Sequence, residues 1–308
     1  MNIAVIDLGT NTFNLLIAEI KDNTFKTLHI TKEFVKLGEG GINERMIQKM
    51  PFKRGVDTLM DYKLIAQQYN CKEIIAIATS AIRNAQNGDE FIQTVKNLTN
   101  IDITVIDGNK EAEFIYKGAI GAVELANENA LIMDVGGGST EFIICNPGGL
   151  LWKKSVEVGV TRLFEKFHHE DPISIPNILA IQEHLHLLLQ EVVDECKKYQ
   201  VSTLIGSSGA FTSLAAMILC KKNKIELLKG QKSYEFELAD YFSIHQILLQ
   251  STLNQRLKID GLIQERAPMI VVGSILVNFI VNQLKISKFK LSRYSLKEGV
   301  AYTFAQNN

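Results

Sequence analysis

Short apolar runs alternate with polar turns and amphipathic stretches along the chain, a pattern that predicts a mixed α/β fold. Apolar residues at 3–6 and 15–20 flank a turn at 7–12 that contains Gly, Asn and two Thr, which is typical of a β-hairpin. The spacing of apolar residues in the rest of the first half predicts strands at 24–30, 73–78 and 101–106, and helices at 45–69, 88–98 and 112–119.

The opening pattern returns in the second half. Apolar residues 130–133 lead into a glycine-rich turn at 134–140, and a second strand-like run, Glu141 followed by apolar residues 142–144, leaves it. Asp7 and Asp134 occupy equivalent places in the two copies. Because a domain-sized interval separates them, we infer a duplicated domain rather than a short repeat.

A polar segment at 121–129, which is short of strand-forming residues, suits a domain boundary. We therefore predict a first domain at 1–125 and a second at 126–308, and we expect a C-terminal helix at about 297–308 to pack back on the first domain. The elements predicted in the second domain are a strand at 202–205, a turn at 206–209, and helices at 178–199, around 214–217, within 242–257 and at 268–284.

The composition is that of a globular protein, because 46% of the 308 residues are hydrophobic and 22% are charged. With a formal net charge of −1, the protein as a whole has no positive field that attracts polyanions, so any anion site must be local. This argues against a general nucleic-acid binder. The most apolar stretch, 270–284, is interrupted by polar residues and is shorter than the ~20 residues of a membrane span. With no visible secretion signal, we expect a cytoplasmic protein with no membrane or nucleic-acid partner.

Each duplicated turn has the composition of a phosphate-binding loop. Glycine lets the backbone approach a ligand closely, turn N–H groups can form an anion-binding nest, and short polar side chains add donors. The candidate phosphate-binding residues are Gly9, Thr10, Asn11 and Thr12 in the first turn and Gly136, Gly137, Gly138, Ser139 and Thr140 in the second. Asp7 and Asp134 end the preceding strands, where a carboxylate can hold a hydrated Mg²⁺ that also touches phosphate. No Gly-Lys-Ser/Thr ending is present, which excludes a Walker loop.

The turns Asp7–Thr12 and Asp134–Glu141 resemble the two phosphate motifs of the exopolyphosphatase/guanosine pentaphosphate phosphatase (Ppx/GppA) family. Further segments resemble motifs of this family in the same order along the chain: Ala78–Asn87, Ile106–Ala112, Gly206–Gly209 and Leu296–Gly299. The resemblance covers essentially the whole chain and corresponds to the short two-domain form of the family. It implies an α/β, two-domain actin-like/sugar kinase/Hsp70-like ATPase fold, with a cleft between duplicated ribonuclease H-like domains, and a homodimer.

The same resemblance assigns roles to individual residues. Glu111 would be the catalytic carboxylate that orients the attacking water and accepts its proton. Arg83 would bind phosphate oxygens with its fork of donors, and Ser208 and Gly209 would bind phosphate in the second domain. The implied ligands of Mg²⁺, or of another divalent cation, are Asp7, Asp134 and Glu141.

The chain departs from the family pattern near these residues. Lys110 replaces the first of two adjacent carboxylates, so it could contact phosphate instead, and Asp107 replaces a Ser. Ala210 replaces the Thr that usually follows the Gly206–Gly209 turn.

Residue types alone also allow ordinary structural interpretations. Glu111 could be a surface residue that complements a helix dipole, Arg83 an exposed side chain without a partner, and Glu141 an outward-facing strand residue. Ser208 could simply cap a helix. The basic residues Arg45, Lys49, Lys53 and Arg54, at helical spacing, could attract polyphosphate or form a solvated helix face.

Two other groups of residues give no metal or redox signal. His168 and His169 are adjacent and therefore lack the i, i+4 spacing of a helical metal site. The four cysteines have no paired ligand spacing, so we expect reduced, mostly buried thiols.

The leading hypothesis is an exopolyphosphatase that removes terminal phosphate from inorganic polyphosphate. Guanosine pentaphosphate (pppGpp) 5′-phosphatase activity uses the same chemistry and remains an alternative. Two alternatives from other classes are an ATP-dependent small-molecule kinase, which needs an acceptor base, and a non-catalytic sensor of polyphosphate or alarmone. The Glu111 segment favours water as the acceptor over a small-molecule substrate.

Overall fold

The computed structural model describes residues 1–307, and the chain divides into two compact units. Unit 1 comprises residues 1–118, 136–138 and the chain from Ser295 onward, and unit 2 comprises residues 119–135 and 139–294. The chain therefore first enters unit 2 between Gly118 and Ala119, a few residues before the predicted boundary at 125/126.

Unit 1 is built around one mixed sheet. Its elements are β1 (Asn2–Leu8), β2 (Phe13–Lys21), β3 (Thr24–Glu33), α1 (Lys49–Gln68), β4 (Glu73–Ala78), α2 (Ser80–Asn84), α3 (Gly88–Thr99), β5 (Ile103–Val105), α4 (Gly108–Ile120, which runs on into unit 2) and α11 (Leu296–Asn307). The strand order is β3-β2-β1-β4-β5. The first apolar run is buried throughout because β1 lies between an antiparallel β2 and a parallel β4. Helix α11 contacts β1, β2 and β3.

Unit 2 has a second mixed sheet with the strand order β10-β11-β9-β6-β7-β8. Its elements are β6 (Ala130–Val135), β7 (Thr140–Asn146), β8 (Gly149–Val156), α5 (Val160–Phe167), α6 (Ile175–Lys198), β9 (Thr203–Ser207), α7 (Ser208–Lys221), β10 (Ser233–Phe236), α8 (Leu238–Gln250), α9 (Leu253–Arg256), α10 (Ile270–Gln283) and β11 (Lys288–Ser292). Short 3₁₀ turns lie at 225–228 and 264–266.

The most apolar stretch of the sequence forms α10, which contacts α5, α6, α7 and α8. A helix that is apolar on all sides is expected in the interior of a large domain. Among residues 1–307, no helix combines the length and the apolar character that crossing a bilayer requires.

The two sheets share the arrangement of five strands, and the second sheet has β10 as an additional edge strand. In each, a buried strand pairs antiparallel with the next strand and parallel with a later one: β1 with β2 and β4, and β6 with β7 and β9. The third strand of each unit then continues the meander at the edge, as β3 and β8. The predicted duplicated two-domain α/β fold is confirmed.

Several elements differ from the prediction. Strands β8, β10 and β11 were not predicted. Two adjacent lysines break the apolar run of β8, β10 is a short edge strand, and the polar–apolar alternation of β11 spans only five residues. Helix α1 begins at Lys49 rather than at position 45, because Arg45 has a left-handed backbone (φ 56°). Arg45 is therefore not on the helix face predicted for it. The helix predicted within 242–257 is two helices, since Thr252 starts α9 with a capping box completed by Gln255.

Candidate active site

The first predicted phosphate turn closes the β1–β2 hairpin. The N–H of Gly9 donates to the carbonyl of Thr12 over 3.2 Å, and a Cβ atom on Gly9 would lie 2.9 Å from that same oxygen. Any other residue at position 9 would therefore crowd the turn. The carboxylate of Asp7 accepts a hydrogen bond from Asn14 Nδ2 (2.9 Å), which orients it at the end of β1.

A glycine-containing segment that the sequence analysis did not single out lies over this turn. Lys36 donates its N–H to the Asn11 carbonyl (2.9 Å), and Gly38 donates to the Thr10 carbonyl (3.1 Å). A Cβ atom on Gly38 would lie 2.6 Å from Thr10 Cγ2, so only glycine permits this approach. The cluster of glycines at positions 38, 40 and 41 was the available signal.

The second predicted turn joins β6 to β7, where Asp134 and Glu141 are cross-strand partners. The two residues are only 7% and 1% exposed. Asp134 accepts a hydrogen bond from Ser207 Oγ, and Glu141 Oε1 accepts one from Ser155 Oγ over 2.7 Å. Glu141 is therefore not an outward-facing strand residue. Buried carboxylates held by hydroxyl donors are suited to a hard cation.

The glycines of the second turn belong to unit 1, where they lie against the first turn. A Cβ atom on Gly137 would lie 2.8 Å from Thr10 Cβ and 3.0 Å from Asn11 Cγ. On Gly138 it would lie 2.5 Å from Ser80 Oγ and 2.8 Å from Thr10 Oγ1. The absence of side chains at these two positions thus brings the two predicted phosphate turns into contact. Ser80 is a polar member of this contact that the sequence analysis did not identify.

Glu111 and Arg83 form an ion pair. Arg83 Nη1 donates to Glu111 Oε2 (2.9 Å) and to the carbonyl of Ile106 (2.9 Å). The two side chains are 17% (Arg83) and 9% (Glu111) exposed. Glu111 lies in the first turn of α4, but it is buried and paired rather than a solvated residue at the helix end. Arg83 likewise has a partner, so it is not an unpaired exposed side chain. The structure thus joins the predicted catalytic carboxylate to the predicted phosphate-binding arginine.

The two departures from the family pattern beside Glu111 have structural partners. The Asp107 Oδ1 atom accepts the N–H of Lys110 (2.8 Å) at the start of α4. Lys110 Nζ contacts Glu113 Oε2 (3.1 Å) and lies 4.9 Å from the centre of the Phe114 ring. Lys110 is therefore engaged with residues of its own helix.

The predicted turn in unit 2 lies where β9 passes into α7. Ser208 has a positive φ of 78°, and its hydroxyl donates to the Val135 carbonyl (2.9 Å). Arg266 lies against this helix start: it donates to the carbonyl of Gly209 and to Ser213 Oγ (3.0 Å). Burial lowers the pKa of Arg266 to about 10, which leaves the guanidinium charged at neutral pH. No local sequence pattern points to Arg266, because it is 57 residues from Gly209.

The predicted metal ligands are not gathered into a ready-made cluster. Among residues 1–307, no three His, Cys, Asp or Glu side chains are arranged to hold a metal ion. Mg²⁺ is commonly bound by one or two carboxylates together with water and substrate phosphates, so it does not require such a cluster. Asp7, Asp134 and Glu141 thus remain predicted ligands, each oriented by a neighbouring donor.

The two adjacent histidines lie in different surroundings. The His168 side chain is 3% exposed, packs edge-on against the Phe164 ring, and has its Nε2 atom 3.8 Å from Asp171 Oδ1. Burial and the nearby charge of Arg256 lower the pKa of His168. His169 is exposed, and its Nε2 atom lies 2.9 Å from the Lys166 carbonyl in the last turn of α5.

Comparison with known proteins shows similarity to one protein family. A profile of the Ppx/GppA phosphatase family matches residues 16–308. A bifunctional 3-dehydroquinate synthase/phosphatase from Fusobacterium nucleatum subsp. nucleatum is 34% identical over 295 residues, which are 91% of this chain and 43% of that protein. A guanosine-5′-triphosphate,3′-diphosphate pyrophosphatase from Pseudoalteromonas translucida is 27% identical over 300 residues, which are 97% of this chain and 58% of that protein. The chain spans about half the length of these two relatives.

Solved structures agree in fold over the whole chain. An exopolyphosphatase from Cytophaga hutchinsonii has a TM-score of 0.96 at 37% identity and covers 100% of this chain and 98% of its own. A Ppx/GppA family member from Aquifex aeolicus has a TM-score of 0.80 at 23% identity, which supports the fold alone.

Proposed function

The chain belongs to the Ppx/GppA phosphatase family, and from this premise we propose that it is an exopolyphosphatase. It hydrolyses the terminal phosphate of inorganic polyphosphate with the help of Mg²⁺ or another divalent cation. The proposal is supported above all by the close packing of the two glycine turns within unit 1, where Gly137 and Gly138 lie against Thr10 and Gly138 also lies against Ser80. Two glycine turns in contact bring backbone N–H groups and short polar side chains together, which suits a row of phosphoryl groups.

Glu111 acts as the general base. It orients a water molecule in line with the terminal phosphorus and accepts its proton as the new P–O bond forms and the anhydride P–O bond breaks. Arg83, bonded to Glu111 and to the Ile106 carbonyl, holds the carboxylate in place and stabilises negative charge on the phosphate. The phosphate-binding residues are those of the two turns, with Ser208 and Gly209 contributing in unit 2.

A bound divalent cation would neutralise charge on the phosphate oxygens. Asp7, Asp134 and Glu141 are the residues that would hold it, since each carboxylate already accepts a hydrogen bond that fixes its direction. The assignment to Mg²⁺ follows from its preference for oxygen ligands and phosphate. A cytoplasmic homodimer that binds no nucleic acid is the corresponding proposal for the whole protein, and it rests on the family resemblance and the net charge of −1.

A second candidate is guanosine pentaphosphate 5′-phosphatase activity, which the similarity to the Pseudoalteromonas enzyme favours. Side-by-side rates of phosphate release from long polyphosphate, short polyphosphate and guanosine pentaphosphate separate the two. We expect the highest kcat/KM on polyphosphate. A clear preference for guanosine pentaphosphate would replace the leading assignment with the second one.

The role of Glu111 has its own test. We expect Glu111→Gln to lower kcat by about 10²–10⁴-fold, the usual contribution of a general base, while polyphosphate still binds. Turnover of polyphosphate by the variant at the wild-type rate would remove Glu111 from the mechanism. Phosphate transfer from ATP to a sugar or to acetate, without release of free phosphate, would indicate a kinase, and binding of polyphosphate without any turnover by the wild type would indicate a sensor.

A further inference from the structure

Helix α4, which carries Glu111, meets α11 through its backbone. A Cβ atom on Gly299 of α11 would lie 1.7 Å from the carbonyl oxygen of Phe114. A Cβ atom on Gly118 of α4 would lie 2.0 Å from the carbonyl oxygen of Ser295. Only glycine permits two backbones to approach this closely. Helices α4 and α11 are therefore in contact at a pair of glycines, one on each helix.

The contact is one helical turn from the proposed base. Phe114 follows Glu111 by three residues, so the two are neighbours along α4. Arg83, the partner of Glu111, is fixed independently of α4, because it also donates to the Ile106 carbonyl, and Ile106 donates to Ala78 at the end of β4. A displacement of α4 at Phe114 would therefore change the position of Glu111 relative to Arg83.

Helix α11 is the better anchored of the two. It packs on β1, β2 and β3, and its Tyr302 ring lies edge-on to Phe25 of β3 with the ring centres 4.7 Å apart. At its start, Glu298 is 2% exposed, accepts the Ser295 N–H (2.9 Å) and pairs with Lys297 (3.0 Å). A side chain added at position 299 would therefore displace α4 rather than α11.

We propose that Gly299 and Gly118 are positioning residues: their contact sets the distance of Glu111 from Arg83 and hence the alignment of the attacking water. Neither glycine touches substrate or the reacting atoms in this role. The inference rests on the proposed function of Glu111. It assigns a catalytic consequence to the Leu296–Gly299 segment, which the proposed mechanism otherwise leaves unused.

The test is Gly299→Ala. The new Cβ atom would start 1.7 Å from the Phe114 carbonyl oxygen, and Cβ atoms essentially never come within 3.0 Å of another heavy atom. The two backbones must therefore separate by about 1.3 Å. We expect kcat on polyphosphate to fall on the order of 100-fold, the usual consequence of a 1 Å misplacement, with little change in KM because the phosphate turns are unaltered. Gly118→Ala, whose clash is with Ser295 before α11, provides a second variant if Gly299→Ala does not fold, and it too should lower kcat.

Two comparisons distinguish positioning from loss of stability. Val300→Ala, at a neighbouring buried position of α11 (4% exposed), removes packing without forcing the helices apart. It should lower the unfolding midpoint and keep a wild-type kcat at temperatures well below that midpoint. In the Glu111→Gln background, Gly299→Ala should cost no further activity, because the residue that it displaces no longer acts as a base.

Three results would overturn the positioning role of the two glycines while the role of Glu111 stands. They are a folded Gly299→Ala or Gly118→Ala enzyme with wild-type kcat, an equal loss of kcat in Val300→Ala, and an undiminished effect of Gly299→Ala in the Glu111→Gln background. If Glu111→Gln itself retains wild-type turnover, the proposed role of Glu111 is wrong and the inference is overturned with it. A wild-type rate in Gly299→Ala beside an inactive Glu111→Gln overturns the positioning role alone.

Discussion

The packing of Gly138 against Ser80 and Thr10 can be tested by adding one methyl group at position 138. In Gly138→Ala the new Cβ atom would start 2.5 Å from Ser80 Oγ and 2.8 Å from Thr10 Oγ1. Such contacts are essentially never shorter than 3.0 Å, so the second turn must move by about 0.5 Å. Ser80 and Thr10 are only 1% and 4% exposed, so neither can swing aside into solvent.

The expected loss of activity follows from that displacement. A misplacement of about 1 Å can cost on the order of 100-fold in rate, and catalytic groups must be held within about 0.5 Å of the productive geometry. We therefore expect kcat/KM on polyphosphate to fall about 10-fold. Overpacking of a buried site also lowers the free energy of unfolding by about 1–3 kcal/mol. Initial rates of phosphate release at saturating Mg²⁺ and thermal unfolding measure the two effects separately.

Matched variants make the result specific to this contact. Gly148→Ala adds the same methyl group in the turn between β7 and β8, where the Cβ atom would meet only Asn146 Oδ1, at 3.1 Å, and it should retain full activity. Ser80→Ala combined with Gly138→Ala removes the nearest atom and should recover part of the lost rate. A Gly138→Ala enzyme with wild-type kcat/KM and an unchanged melting midpoint would show that the two turns are not packed together in the working enzyme.

Two further predictions concern the metal and the core. Asp134→Ala should raise the Mg²⁺ concentration for half-maximal activity at least about tenfold, since second-shell changes alone cost 10–100-fold in metal affinity; an unaltered Mg²⁺ dependence would contradict the ligand assignment. His245, which is 4% exposed and 2.6 Å from Ser274 Oγ, has its pKa lowered by burial from 6.5 to about 4. Between these two pH values the unfolded chain binds a proton at His245 and the folded protein does not. The free energy of unfolding should therefore fall by up to about 3 kcal/mol as the pH drops from about 6.5 to about 4. Urea unfolding at pH 7.5 and pH 5 should show about 2 kcal/mol of this loss, which His245→Asn should reduce; an equal loss in both proteins would refute the assignment to His245.

Sequence patterns predicted the features that depend on neighbouring residues. The two hairpins follow from apolar runs around a glycine turn, and their equivalence follows from the repeated order of residues. The ion pair of Arg83 and Glu111 could not be predicted from spacing, because 28 residues separate them, although each was selected separately by resemblance. Gly38 and Arg266 were missed since their roles arise only from contacts with Thr10 and Gly209, which are distant in the chain.

The predicted boundaries of helices were wrong where the backbone conformation, rather than the apolar pattern, decides where a helix begins or ends. Arg45 continues the helical spacing of α1 in the sequence, but its left-handed conformation keeps it out of the helix. Thr252 interrupts an equally continuous pattern because its side chain and that of Gln255 cap a new helix. Periodicity reports which face a residue could occupy, and it carries no signal for a local hydrogen bond that competes with the helix.

The duplication that made the turns recognisable has produced two unequal copies. Asp7 is partly exposed and is oriented by the amide of Asn14, whereas Asp134 is 7% exposed and is held by the Ser207 hydroxyl. A buried carboxylate loses more hydration than an exposed one, so it gains more from a bound cation. The second copy also has three successive glycines where the first has Gly, Thr and Asn, and two of these glycines admit the side chains of the first turn. We therefore expect Asp134 to contribute more to metal affinity than Asp7, which makes Asp134 the more sensitive position at which to measure metal dependence.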